Sequence, residues 1–242
     1  MSVPFKHAFC AMTLAFAFLA DAVQAADPAV RLGQLRQHQI DQLLYLAAGH
    51  PNEFWRYHGL RQHLSGRDAE AASHFERAAR YADKPSQHYL SLMYWYGQGV
   101  PQDRVQAYIW SDIAAERGQR NMLRIREKMW LELTDAQRAQ VIERGEAMHR
   151  RYADAYTKIH TERALFRFAT QMTGSRAGYS DGRLQIGFGG PFSGEGGSDG
   201  MTMYGDERTD RRVYWQAQDR MLAGPLRASV IVGPIEPDAR PL

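Results

Sequence analysis

The chain has 242 residues, a formal charge of +3 at pH 7, 44% hydrophobic and 24% charged residues, and one cysteine. This balance suits stacked helices better than a sheet, so the fold class is expected to be all-α. No run of basic residues is long enough to make a nucleic-acid stripe, which excludes a nucleic-acid partner.

Residues 1–25 read as a signal peptide. Lys6 sits in a short start, an apolar run follows from Ala8 to Ala20, and Val23-Gln24-Ala25 ends in small residues before a cut. The run of 13 residues falls short of the roughly 20 that a helix needs to cross the hydrocarbon core. Cleavage after Ala25 is therefore expected, with Ala20-Asp21-Ala22 offering a competing site after Ala22, and no membrane span remains. The mature protein is expected in the periplasm or outside the cell. Cys10 leaves with the leader, and His7-Ala8-Phe9 before it lacks the small-residue box of a lipoprotein. Without a cysteine the mature chain can form neither a disulfide nor a thiolate site.

Val30, Leu32, Leu35, Ile40, Leu43, Leu44 and Ala47 give a capping helix over Val30 to Ala48, within a first unit of 26–50. A hairpin follows over 51–84. Phe54 and Leu60 lie in its first helix, and its second carries apolar positions 71, 72, 75, 78, 79 and 82 on one face. Ala71, Phe75, Ala78 and Ala79 are answered by Ala107, Trp110, Ala114 and Ala115. Three of these pairs are 36 residues apart and the aromatic pair 35, the period of a helical-hairpin array. Alanines at such positions let helix axes approach closely while keeping high helix propensity. Between the alanine-rich helices, Ser86 to Tyr96 reads as a helix. Gly97 and Gly99 supply its left-handed stop, and Pro101 suits an early position in the next helix.

Leu90, Tyr94, Gly97, Gly99, Val100, Asp103, Ala107, Trp110, Ala114, Ala115 and Gly118 resemble the signature of a Sel1-like repeat over 85–120. Ser86 stands where that family favours Ala, and Ser91 where it favours Gly. The 51–84 hairpin is a degenerate copy whose turn reads Ser65-Gly66-Arg67-Asp68. The resemblance implies a short α/α solenoid of antiparallel hairpins, a TPR-like superhelix whose concave face holds another protein. The lack of cysteine in the expected mature chain also separates it from the cysteine-rich secreted branch of the family.

Residues 121–173 are expected to close the array. Asn121 to Leu133 begins a third hairpin, and Thr134 with Gln137 has the capping-box spacing at the start of its second helix. Asp135 to Met172 reads helical with Gly145 inside, as one helix or two, with Met148, Tyr152, Tyr156 and Ile159 as a buried stripe. In 174–242, ten glycines between Gly174 and Gly200 predict a flexible region. Arg211 to Leu222 is read as a short helix there and Arg227 to Val232 as a short strand.

Candidate chemistry is sparse. None of the mature chain's histidines, at 38, 50, 58, 63, 74, 88, 149 and 160, pairs with another at the i, i+4 spacing of a helical zinc site, so no metal is expected, nor any cofactor. Ser193-Gly194-Glu195-Gly196 lacks the order of a nucleophile elbow, and Ser198-Asp199-Gly200 lacks the ligand spacing of a calcium loop. Tyr94 and Trp110 are read as packing residues, whereas Tyr89, Trp95 and Tyr108 lie off the signature and are the candidate surface for a protein partner. The expected function is a non-enzymatic scaffold or adaptor in the cell envelope. The alternative is a glycan-binding protein or a hydrolase using Glu53, Glu76 or Asp112, which requires two carboxylates facing one cleft.

Overall fold

The computed structural model describes residues 37–171, 185–186, 198–199 and 205–223. The leader and the strand read at 227–232 lie outside them. The helices are α1 (Gln37–Leu46), α2 (Pro51–Leu64), α3 (Asp68–Ala79), α4 (Lys84–Tyr96), α5 (Arg104–Ala114), α6 (Arg120–Glu132), α7 (Asp135–Tyr152), α8 (Asp154–Gln171), α9 (Asp206–Thr209) and α10 (Arg211–Ala223). A 3-10 turn over Ala115–Arg117 extends α5, and Gln185–Ile186 pairs antiparallel with Ser198–Asp199. The fold is an all-helical α-solenoid of consecutive packed hairpins, α2 with α3 and α4 with α5, and α1 covers its first face.

Small residues set the spacing of the stack. Ala71, Ala78 and Ala79 on α3 and Ala107 and Ala114 on α5 are fully buried, so neighbouring axes meet over methyl groups. A methyl placed on Gly59 of α2 would stand 2.5 Å from the Phe75 ring, so glycine is what lets that ring pass between α2 and α3. Phe75 in turn stacks on Tyr89 of α4, centroids 4.7 Å apart and planes within 6°. Ile40, Leu60, Leu90, Met93, Ile109, Trp110 and Ile113 join them in one core running from α1 to α5. Asp83 caps α4 by accepting from the Ser86 N–H at 3.0 Å, and Asp103 caps α5 by accepting from Gln106 N–H at 2.9 Å. Gly97 and Gly99 have φ of 70° and 68°, the left-handed geometry that the sequence predicts for this stop, and Gly118 after α5 has φ 76°.

The expected third hairpin does not close. Leu133 and Thr134, which connect α6 to α7, both have extended backbone, ψ 139° and 160°, and the two helices do not pack along one another. Both helices pack on α5. The capping box at Thr134 and Gln137 is present. A single extended residue, Ala153, then divides the long helical segment into α7 and α8 and re-aims the stripe read across it. Tyr152 is buried, but Tyr156 and Ile159 face solvent, and α8 buries Thr157, Thr161, Ala164 and Leu165 instead.

Helix α8 runs along the row of turns that joins one hairpin to the next. Its first residue, Asp154, meets Lys84 and Arg117, Thr161 donates to the Tyr81 carbonyl, and Phe168 packs its ring 5.3 Å from that of His50. Helices α9 and α10 return along the same edge, from His50 and Glu53 through Ala82 to Ala114 and Met122. Tyr214 ends fully buried. Among the described residues no helix is long and apolar enough to cross a membrane.

A side chain at Gly99 would need left-handed backbone and would overlap the Asp68–Ala69 backbone, whereas one at Gly66, φ 71°, would meet nothing. Gly66→Ala is expected to cost about 1 kcal/mol, the left-handed penalty alone. Gly99→Ala adds a backbone clash and is expected to cost about 3 kcal/mol. Urea unfolding midpoints compare them directly, and equal midpoints would show that the turn of the second hairpin does not dock on α3.

Candidate interaction site

A cavity of about 400 Å³ opens between α3, the second half of α4, the Gly97–Asp103 turn, α5 and α7. Ala72, Leu90, Val100, Trp110 and Met148 give it an apolar floor, and Ser73, Glu76, Tyr94, Gln106, Arg151 and Tyr152 give it a polar rim. Its volume lies in the range of ligand and side-chain pockets, and polar groups make up more of its lining than apolar ones. The 36-residue period explains why it exists. Ala69, Ala72 and Ser73 of α3 stand one period before Val105, Tyr108 and Ile109 of α5, so the first hairpin is underfilled where the second is full.

Glu76 is the charged centre of the rim. It accepts from Tyr152 Oη at 2.6 Å and Arg80 at 3.1 Å, with Arg151 at 3.7 Å. Partial burial pushes its carboxyl up, but the Tyr152 and Arg80 bonds outweigh this and hold it below its ordinary value. Burial and Glu76 push the Tyr152 hydroxyl up to about 12, so it stays a donor at neutral pH. Burial also raises the Tyr94 hydroxyl, with Glu76 adding to the effect. Trp110 is 2% exposed, and its Nε1–H has no acceptor among the described residues. An indole N–H left so costs free energy unless something supplies an acceptor.

The three residues read as an exposed partner surface are corrected at two positions. Tyr89 and Trp95 are 6% and 7% exposed. Tyr89 lies on Phe75, and Trp95 is enclosed by Ala107, Met129 and Leu133 with the Arg104 guanidinium 4.8 Å over its ring. Helix α4 is the middle of the stack and is covered on nearly every side, so lying off the repeat signature does not mean lying outside. Tyr108 is half-exposed, its ring 4.9 Å from that of Trp130, which Arg138 covers from 5.3 Å. Of the signature residues, Leu90, Ala107, Trp110, Ala114 and Ala115 are buried, Tyr94 is half-buried at the cavity, and Gly97, Gly99, Asp103 and Gly118 form the turns.

Glu53, Glu76 and Asp112 do not share a cleft. Glu53 is sealed against Arg208, Tyr214 and Gln218, Glu76 lies at the cavity, and Asp112 pairs with His149 at 3.1 Å and Arg126 at 3.2 Å. The His149 bond, against burial, holds Asp112 below its ordinary value. Burial pushes Glu53 up, but Arg208, Arg56 and His50 together outweigh it. None of the three is a carboxyl held protonated for acid catalysis. Among the described residues, no three His, Cys, Asp or Glu side chains gather as a metal site.

One cluster escaped sequence reasoning. On the outer face of the first hairpin, Trp55 stacks on His74 at 5.6 Å, His74 on His58 at 5.5 Å, and Phe54 meets His58 at 4.4 Å. The i, i+4 spacing of Phe54 and His58 on one helix was its visible signal. Burial, then Arg61, lowers the His58 ring below 6.5, and burial, then Arg77, lowers that of His74. Burial likewise lowers His50, outweighing Glu53 and the two carbonyls that the ring reaches. A folded-state value below the unfolded one means that the unfolded chain takes the proton first as pH falls. The stability carried by these neutral rings is full above pH 6.5 and lost as pH drops from there toward their folded-state values. The urea midpoint is therefore expected to be lower at pH 5.5 than at 7.5, and His50→Gln is expected to shrink that difference. An equal or higher midpoint at pH 5.5 would contradict these assignments.

Comparison with known families finds the Sel1 repeat over residues 84–119, which is α4, its glycine turn, α5 and the 3-10 turn. Comparison with curated proteins and with solved structures finds no match. Sel1 repeats are generally protein–protein interaction modules. The chain thus carries a Sel1 repeat at residues 84–119, set among consecutive packed helical hairpins.

Proposed function

We propose that the protein is a non-enzymatic scaffold exported to the cell envelope, and that it holds a protein partner at the cavity between α3, α4, α5 and α7. The observation that carries this reading is the cavity itself, an apolar-floored recess open between two repeats. An apolar side chain of the partner fills the floor. A hydrogen-bond acceptor beside it meets the buried Trp110 N–H, and the rim of Glu76, Arg151 and Gln106 selects its polar surroundings. Tyr108 and Trp130 form a second half-exposed aromatic patch across α5 and α6, on a different face of α5 from the cavity. Export rests on the leader read in residues 1–25.

Ser73 is an exposed residue at the cavity mouth, so Ser73→Trp fills the recess without altering the core. Immobilised protein beginning at Ala26 is expected to retain a specific polypeptide from an envelope extract of its host. Ser73→Trp is expected to reduce that retention at least about 10-fold, a loss of roughly 1.4 kcal/mol, with an unchanged urea midpoint. Undiminished retention by the folded variant would move the site elsewhere, and retention of glycan alone would favour a lectin. Intact mass of the secreted chain is expected to begin at Ala26, and an uncleaved cytoplasmic product would end the export reading.

A further inference from the structure

Helix α8 carries apolar side chains on two faces, and the array uses one of them. Thr157, Thr161, Ala164 and Leu165 are buried against the turns between hairpins. Tyr156, Ile159 and Phe166 point the other way and are exposed, Phe166 by 69%. With Arg163 and Arg167, also exposed, they recur at i, i+3, i+7, i+10 and i+11, the spacing of a single stripe on a helix. The stripe runs about 15 Å from Tyr156 to Phe166, at about 1.5 Å per residue.

The uncommitted charge on this stripe is all of one sign. Both carboxylates of α8 are engaged, Asp154 by Lys84, Arg117 and Lys158, and Glu162 by the Trp215 Nε1–H at 3.2 Å and by Arg211 at 3.8 Å. Arg163 and Arg167 have no anionic partner among the described residues. They stand four residues apart, where like charges repel and weaken a helix slightly. Neither lies in the last turn, where the helix dipole would favour a cation. Arg211 of α10 adds a third exposed guanidinium, since the Glu162 that it meets is one turn from both Ile159 and Phe166. Neither packing nor helix stability accounts for uncompensated arginines beside three solvated apolar side chains.

Geometry selects among anionic partners. On one side α8 is held to the array by the Thr161 bond to the Tyr81 carbonyl, and on the other it is flanked by Trp215 of α10, so a groove cannot close around it. What it offers is a strip of protruding side chains, which fits a surface that yields to them. A bilayer does so, because apolar side chains enter its interfacial region while basic ones meet the headgroup phosphates, and the two contributions add. We propose that the exposed face of α8 rests on an anionic phospholipid bilayer, with Tyr156, Ile159 and Phe166 in the interface and Arg163, Arg167 and Arg211 on the phosphates. The stripe shares no residue with the cavity, and the proposal stands whether or not the cavity holds a partner.

Sedimentation with lipid vesicles tests it, using protein that begins at Ala26, which keeps every described residue and lacks the apolar run of residues 8–20. Vesicles of equal phosphatidylglycerol and phosphatidylcholine are expected to bind it at about 0.1 M salt and to release most of it at about 0.5 M. Binding to pure phosphatidylcholine is expected to be at least about 10-fold weaker. Arg163→Gln with Arg167→Gln is expected to weaken binding to the anionic vesicles about 30-fold, and Ile159→Ser with Phe166→Ser at least about 10-fold. All four positions are exposed, so the urea midpoint is expected to hold. Arg124→Gln with Lys128→Gln removes an exposed pair of the same spacing from α6 and is expected to change binding less than about 3-fold. No binding to the anionic vesicles would overturn the proposal and point to an acidic protein at this face. Equal losses in the α6 and α8 charge variants would overturn it as well, because net charge alone would then carry the attraction. Undiminished binding by the serine variant would do the same.

Discussion

Arg56 and Asp83 meet at 3.0 Å with side chains 0% and 1% exposed, and the rest of the array is arranged around that buried pair. Neither charge can be solvated, so each must keep its partner, and losing one from such a pair costs about 3 to 5 kcal/mol. Asp83 does two jobs at once, because its other oxygen caps α4 through the Ser86 N–H. The carboxylate that fixes where the second hairpin begins therefore also fixes how it sits against α2. Lys84, the next residue, is fully buried as well. It donates to the Ile113 carbonyl at 2.8 Å and pairs with Glu116 at 2.8 Å and Asp154 at 2.9 Å. Asp154 also holds Arg117 at 2.7 Å, and Arg117 reaches back to the Ala82 carbonyl. The charges form one continuous line along the turns. Apolar faces could slide by a turn of helix, but this line matches in one register.

The repeat was legible in the sequence because its requirements are local. Left-handed turns, a cap three residues before a backbone N–H, and methyl groups at one face each leave a mark within a few residues. Register 36 even ties Ala82 to Gly118. Both are left-handed, φ 59° and 76°, although Ala82 carries a methyl that glycine would not. That methyl lies against Leu165 and Tyr214, so part of the backbone strain is offset by packing that exists only because α8 and α10 lie there. The split of the last helical segment into α7 and α8 was left open in the sequence, since Ala153 carries no breaker signal. Its extended conformation is selected by the residue after it, because Asp154 is locked onto Arg117 and Lys84.

The partners of Glu53 were beyond sequence reasoning for a different reason. Tyr214 and Gln218 stand more than 160 residues away, and α10 read alone is an ordinary amphipathic segment. Likewise Tyr89 and Trp95 are large aromatics off the repeat pattern, a profile that fits a docking face on an outer helix. On a middle helix the same profile fits core, because α4 is enclosed by α3 and α5 with α6 behind. The cavity was readable in principle. It needs the comparison of Ala72 and Ser73 with Tyr108 and Ile109 one period later, a difference in size where the pattern keeps its phase.

The two edges of the array thus have opposite characters. The turns between hairpins carry buried charge, and α8, α9 and α10 cover them. The turns within hairpins carry Gly66, Gly97 and Gly99, and the cavity opens on that side at Gly99 and Val100. A helical array whose charged edge is already occupied has its remaining capacity for recognition where side chains are small and the walls come from different repeats. The small size of Ala69, Ala72 and Ser73 would be a packing fault if stability alone shaped α3, since filling a void is a common route to a more stable core. Kept open, it leaves a recess lined by α3 and the repeat that follows it, the place proposed for the partner's side chain. The relative position of the hairpins, fixed by Arg56 and Asp83, then sets the shape of that recess.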